Sequence, residues 1–138
     1  MKKITVSRAK KKAWDWLSKY IRMKFADEQG YVSCVTCGLT RKWKDMQAGH
    51  FVARAQGNAT YLLEENVHPQ CYRCNMNLGG NGPEYTPYMV SMYGQEGVDE
   101  LRRLSKTTRK FNVAELLEMA DYFKYLAKEQ AQRLGESI

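Results

Sequence analysis

No run of apolar residues in this 138-residue sequence approaches the roughly 18–20 needed to span a bilayer, which excludes a helical membrane protein. The opening stretch, Met1 to Lys12, is basic but leads into no apolar segment, so it does not read as a secretory signal. Internal repeats and low-complexity tracts are missing as well, and only the extreme termini read as disordered. Acidic residues are almost absent from the start of the chain. Met1 to Lys24 holds Asp15 alone against nine basic residues, Lys2, Lys3, Arg8, Lys10, Lys11, Lys12, Lys19, Arg22 and Lys24. The remainder carries thirteen basic and fourteen acidic residues, so nearly all of the net charge of +7 lies in one segment. That segment is either a phosphate-contacting surface or a solvated helix face.

The length suits one domain, 1–138, in three parts. Residues 1–30 form a basic helical segment. Ala9, Ala13, Trp16, Leu17, Tyr20, Ile21 and Lys24 recur near the helical period from Ser7, a candidate N-cap, to about Gln29, with Gly30 as the stop. Trp14 and Trp16 read as core packing. Residues 31–82 lose the helical period, and short β-prone pieces (Tyr31–Val35, Gln47–Val52) alternate with polar turns. All four cysteines and both histidines lie there. Residues 83–138 turn helical again: Pro83–Tyr93, Gln95–Lys106, and a last helix capped by Asn112 with Glu115 three residues on and ended by Gly135.

The cysteines form two pairs, Cys34-Val-Thr-Cys37 and Cys71-Tyr-Arg-Cys74, separated by 33 residues. Each such turn sets two thiolates on one side of a knuckle, and two knuckles complete a closed tetrahedral shell suited to one structural zinc ion. Gly38 supplies the positive φ such knuckles often need. An iron–sulfur cluster or redox pairs are the alternatives. With no span or signal read, the cytoplasm is the expected compartment, and there thiols stay reduced and paired cysteines favour metal over disulfides. The gap is longer than the roughly 15–20 residues of a zinc ribbon and encloses His50, Asn66 and His68, while Asn75 follows the second knuckle.

Gln47-Ala48-Gly49-His50-Phe51 and Asn66-Val67-His68-Pro69-Gln70-Cys71-Tyr72-Arg73-Cys74-Asn75 together resemble an HNH nuclease motif. More closely the chain is similar to the phage recombination nucleases of the NinG/Rap family. Gly80-Asn81-Gly82-Pro83-Glu84-Tyr85 and stretches between Ala13 and Arg22 also match that family, over roughly residues 13 to 94. The resemblance implies an α+β fold with a zinc-clamped ββα-metal (HNH, His-Me finger) centre between N- and C-terminal helices. It implies a metal-dependent endonuclease hydrolysing DNA, with branched intermediates such as Holliday junctions or D-loops as substrate. His50 would be the general base, Asn66 would brace the loop that orients it, and Asn75 would ligate a catalytic Mg²⁺ or Mn²⁺ through its amide oxygen. Many such sites carry a metal-binding aspartate just before the first histidine. Gly49 stands there, so the second ligand is open among Gln47, His68, Asn81 and Glu84.

Histidine suits the base role because it accepts a proton near neutral pH, and a divalent ion supplies the Lewis acid. Lys10, Lys11, Lys12, Lys19, Arg22, Arg41, Lys42, Arg54 and Arg73 are the expected phosphate contacts. A non-catalytic zinc-knuckle DNA-binding module is the competing reading, and no residue separates DNA from RNA. No membrane and no nucleotide cofactor are expected, and the compartment becomes the bacterial host's cytoplasm if a phage encodes the chain. Two nicks in a four-way junction fit a two-fold homodimer. The last helix, with Met89 and Met92 ahead of it, offers either that interface or a face packed on the first helix.

Overall fold

The computed structural model describes residues 3–53 and 58–138, a mixed α+β arrangement in which two small sheets lie among long helices. Helix α1 (Val6–Lys24) is capped two residues ahead of the expected Ser7, because the Thr5 hydroxyl accepts from the Arg8 amide at 3.1 Å. It ends at Phe25, short of Gln29. There the Asp27 carboxylate accepts from the amides of Gln29 and Tyr31 and turns the chain, an Asx-type competition with the helix.

The buried stripe of α1, Ala9, Ala13, Leu17, Tyr20 and Ile21, packs along helix α3 (Val113–Leu134) on Leu116, Ala120, Phe123, Ala127 and Ala131. Alanines on both faces let the two axes approach closely. Asn112 and Gly135 cap α3 as the sequence indicates: Asn112 Oδ1 accepts from the Glu115 amide at 2.8 Å, and Gly135 sits at φ 67°. The apolar face of α3 is thus covered by α1 and is not left for a second copy. Met89 likewise is fully buried, in a second cluster with Val52, Tyr85, Val98 and Leu101, whereas Met92 is exposed.

Between the helices, β1 (Tyr31–Ser33) pairs antiparallel with β2 (Thr40–Lys42), and β3 (Gln47–His50) pairs antiparallel with β4 (Val67–Gln70). The register sets Gln47 opposite Gln70, Gly49 opposite His68 and His50 opposite Val67. A wide π-helical turn, Arg73–Asn77, follows β4 and is closed by the Leu78 amide on the Arg73 carbonyl at 2.9 Å. Helix α2 (Gly82–Ser105) is broken at Gly94, φ 74°, which divides it where the sequence indicates two pieces. Among the described residues no helix is long and apolar enough to cross a membrane.

Candidate metal centre and adjoining cleft

The four cysteine sulfurs lie within 4.8 Å of one another. Cys37 Sγ and Cys71 Sγ are 3.7 Å apart, close to the about 3.8 Å that two ligands of a tetrahedral ion subtend at a zinc–sulfur distance of about 2.3 Å. The loop between β1 and β2 supplies Cys34 and Cys37, and the turn after β4 supplies Cys71 and Cys74. Gly38 at φ 82° donates its amide to the Cys34 carbonyl and closes the first knuckle. Burial opposes ionising Cys34, yet the Thr36 hydroxyl and the amides of Cys71, Thr36 and Cys37 outweigh it and hold the thiol down to about 6. The Asn81 amide lies 3.6 Å from Cys74 Sγ, so Asn81 serves the cysteine cluster. A closed shell of four thiolates on two knuckles suits structural zinc.

His50 ends β3. Its Nε2 lies 2.9 Å from the Tyr61 carbonyl. A carbonyl only accepts, so Nε2 carries the hydrogen in that contact and Nδ1 holds the basic lone pair. The ring stacks on Trp14 (centroids 4.6 Å, 21° between planes) and on Tyr61 (5.0 Å, 16°). Trp14 is half-buried: it packs against the main apolar cluster, as read from sequence, and also forms a wall of this site. Asn66 is fully buried and ties the segment that carries Tyr61. Its Oδ1 accepts from the Val52 amide at 2.7 Å, and its Nδ2 donates to the carbonyls of Val52 and Thr60.

Asn75 lies in the π-helical turn and donates its Nδ2 to Gln47 Oε1 at 2.7 Å. That contact leaves Asn75 Oδ1 directed at the face of Gly49. A methyl group at Gly49 would stand 3.0 Å from it, and only 1.9 Å from Gln70 Oε1. A side chain at position 49 would have to displace the Gln70 amide, which already fills the space. Gln70 itself is fully buried. Its Nε2 donates to the Gly80 carbonyl at 2.8 Å and to Thr36 Oγ1 at 3.1 Å, while its Oε1 has no hydrogen-bond partner.

The other expected metal ligands separate from this point. His68 is completely buried, with Nδ1 3.0 Å from the Tyr85 hydroxyl and Nε2 2.8 Å from that of Tyr93. Tyr85 passes its own hydrogen to the Gly49 carbonyl at 2.8 Å, so it accepts from Nδ1–H and Tyr93 donates to Nε2. Burial is the largest cause that keeps both phenols protonated, Tyr93 pushed up to about 12 and Tyr85 well above its ordinary value. Both ring nitrogens being engaged, His68 has no lone pair for an ion; it locks β4 to α2, and Tyr85 carries the link on to β3. Glu84 is exposed on the first turn of α2 and lines none of the clefts described below.

Burial, with Lys24 nearby, lowers the His68 pKa from 6.5 to about 4. The unfolded chain therefore binds a proton between these values that the folded chain refuses. Stability from this site is present above about pH 6.5 and is lost as the pH falls towards about 4. Going from about pH 7 to about pH 5 should cost about 2 kcal/mol through His68. Thermal melts of wild type and His68→Gln at both pH values check this: the variant should show the smaller drop, since acid release of metal is common to both proteins.

Three clefts adjoin at this site. One of about 490 Å³ is lined by Arg8, Lys10, Lys11, Trp14 and Tyr61. The next, about 330 Å³, lies among Trp14, Ser18, Arg22, Gln47 and Asn75, and the last, about 240 Å³, among His50, Ala53, Asn75, Gly79 and Gly80. Trp14 is common to the first two and Asn75 to the last two, so a band runs from the basic helix past His50. Of the expected phosphate contacts, Lys10, Lys11 and Arg22 line the band; Lys10 Nζ sits 4.6 Å over the Tyr61 ring, and Lys11 pairs with Asp15 at 2.8 Å. Arg8 joins them, though it was not singled out from sequence.

Arg22 lines the second cleft but is also tied to backbone. Its half-buried guanidinium donates to the carbonyls of Ser18, Trp43 and Met46, and desolvation lowers its pKa. It braces the entry to β3. Lys12 is exposed farther round α1, and Lys19 lies over the Trp16 ring at 4.8 Å. Arg41, Lys42 and Arg73 are exposed and line none of the three clefts, Lys42 being tied to the Gln29 carbonyl. Arg54 and Lys2 lie outside the described residues.

Among known proteins, the family described as bacteriophage lambda NinG protein matches residues 2–133. Protein ninG of Escherichia phage lambda is 33% identical over 93 residues, which cover 66% of this chain and 42% of that protein. The chain thus aligns with less than half of that relative's length. No solved structure matches.

Proposed function

We propose, from the premise that this chain belongs to the NinG family of phage proteins, that it is a metal-dependent HNH-type endonuclease cutting DNA phosphodiesters. Branched recombination intermediates are the substrate class that the sequence resemblance implies. The observation that carries the reading is the setting of His50. Its tautomer is fixed by the Tyr61 carbonyl, its ring rests on two aromatic faces, and Asn75 lines the same cleft.

In this reading His50 Nδ1 takes the proton of the attacking water. The Tyr61 carbonyl holds the opposite ring nitrogen, and the Trp14 and Tyr61 faces accommodate the imidazolium that results. Asn66 maintains the loop that brings Tyr61 to His50. Asn75 Oδ1, a hard oxygen donor freed by the Gln47 contact, suits a small divalent cation. Such an ion, when bound, supplies charge neutralisation at the phosphoryl group and the leaving oxygen. Arg8, Lys10 and Lys11 along the adjoining cleft position the backbone without reading bases. Symmetric cutting of a four-way junction would then call for two copies of the chain.

Labelled linear, forked and four-way DNA incubated with the protein and Mg²⁺ or Mn²⁺ tests this. Cutting that needs the ion, stops with EDTA and favours the branched forms is the expected result. Tight binding with no cutting under either ion would leave a zinc-knuckle DNA-binding module in its place.

A further inference from the structure

The Gln70 side chain combines three features that a packing role does not explain. It is fully buried, its Oε1 lacks any hydrogen-bond partner, and that oxygen occupies the one spot where residue 49 would carry its β-carbon. A buried acceptor without a donor is costly, and native proteins leave few of them. The amide is not free to turn over and cure this. Rotating it would put Oε1 against the Gly80 carbonyl at 2.8 Å, two acceptors face to face. Thr36 holds the same orientation: its Oγ1 accepts from Gln70 Nε2 and lies 3.2 Å from Cys34 Sγ. The cysteine cluster thereby fixes where Oε1 points.

It points to the space that Asn75 Oδ1 also faces, since the same Gly49 β-position is 1.9 Å from the one oxygen and 3.0 Å from the other. Asn75 Nδ2 is likewise spent, on Gln47. Two amide oxygens, each turned to the face of Gly49 by hydrogen bonds at its own nitrogen, make a pair of hard neutral donors of the kind that Mg²⁺ or Mn²⁺ accepts.

We infer that Gln70 Oε1 is the second protein ligand of the divalent cation held by Asn75, and that Gly49 is glycine because this oxygen needs its space. The assignment deepens the nuclease reading and rests on it for the identity of the site. Gln70 binds the ion and Thr36 positions Gln70, so the cation site is coupled to the cysteine cluster through one hydroxyl.

The test reads metal binding rather than cutting. Mn²⁺ is titrated into zinc-loaded protein without DNA, free Mn²⁺ being followed by electron paramagnetic resonance. Zinc content and melting temperature are recorded alongside as checks of the fold. Gln70→Met keeps the bulk and removes the oxygen, and should weaken Mn²⁺ at least about tenfold, as should Asn75→Ala. Gly49→Asp alone should destabilise the fold, because its β-carbon meets Gln70. Gly49→Asp combined with Gln70→Ala vacates that space and moves the donor from β4 to β3, and should bind Mn²⁺ more tightly than Gln70→Ala alone. Unchanged Mn²⁺ affinity in folded Gln70→Met, or a double variant no better than Gln70→Ala, would overturn the assignment. DNA cutting with Gln70-independent Mn²⁺ binding would remove Gln70 and leave the nuclease reading standing. Gln70-dependent Mn²⁺ binding in a protein that never cuts DNA would do the reverse.

Discussion

His50→Ala should reduce DNA cleavage by about 10²–10⁴-fold, the range that a general base contributes, while leaving zinc content and DNA affinity close to wild type. The expectation follows from where the side chain sits. His50 is at the end of β3 and only half-buried, and it stacks on Trp14 and Tyr61 at the edge of the main apolar cluster, facing the cleft. Its loss removes a stacking partner and one contact to a carbonyl. The β3–β4 register and the cysteine cluster depend on neither. The basic side chains that line the first cleft belong to α1, whose position is set by α3, so binding should survive. Filter binding and cleavage of the same labelled DNA measure the two properties side by side. A variant that loses affinity and cleavage together would assign His50 a structural role.

Removal of metal from the cysteine cluster should have the second large effect, and a different one. The sheets of this protein are two-stranded, with strands of three or four residues, and isolated hairpins of that size are marginal in water. The cluster joins them, beside the Val35 amide on the Pro69 carbonyl and the Gln70–Thr36 bond, because Cys34 and Cys37 come from the β1–β2 loop while Cys71 and Cys74 follow β4. Structural zinc in small domains contributes about 10–16 kcal/mol of apparent binding free energy, much of it folding energy. Cys71→Ser, or a strong chelator, should therefore collapse the centre of the molecule. Near-ultraviolet circular dichroism, which reports packed aromatic rings such as Trp14 and Tyr61, should fall. Much of the helical signal should persist, since α1 and α3 hold each other through their own apolar stripes. Native mass spectrometry should find one zinc per chain before treatment. A protein isolated without metal, with four free thiols and the same melting temperature, would end this account. Withdrawal of Mg²⁺ alone should leave the spectrum unchanged and stop only the chemistry.

The cysteine pairs and both caps of α3 were legible from the sequence because each is a local signal: a fixed spacing, or a cap and its partner three residues on. Element boundaries were less so. Strand β4 went unread because all four of its residues are buried, so it shows no alternation, and β2 because all three of its residues are exposed. Helix α1 ended early because Asp27 captured two amides, a competition that helical periodicity does not register.

The remaining assignments were decided by tertiary structure. One strand pairing sets His68 opposite Gly49, and the approach of α2 then brings the two tyrosines that occupy both of its nitrogens. Trp14 becomes a wall of the cleft only because β3 crosses the face of α1 where it lies. Arg22 becomes a brace because three carbonyls, two of them more than twenty residues away, converge on it. Sequence determined which groups are able to hold zinc, take a proton or ligate a cation, since those are properties of residue type and short spacing. Only the folded chain determined which of them are placed to do so, because a hydrogen bond that consumes one face of an amide or imidazole decides what the other face can offer. Gln70 is the clearest instance: its oxygen is defined by what its nitrogen is bound to.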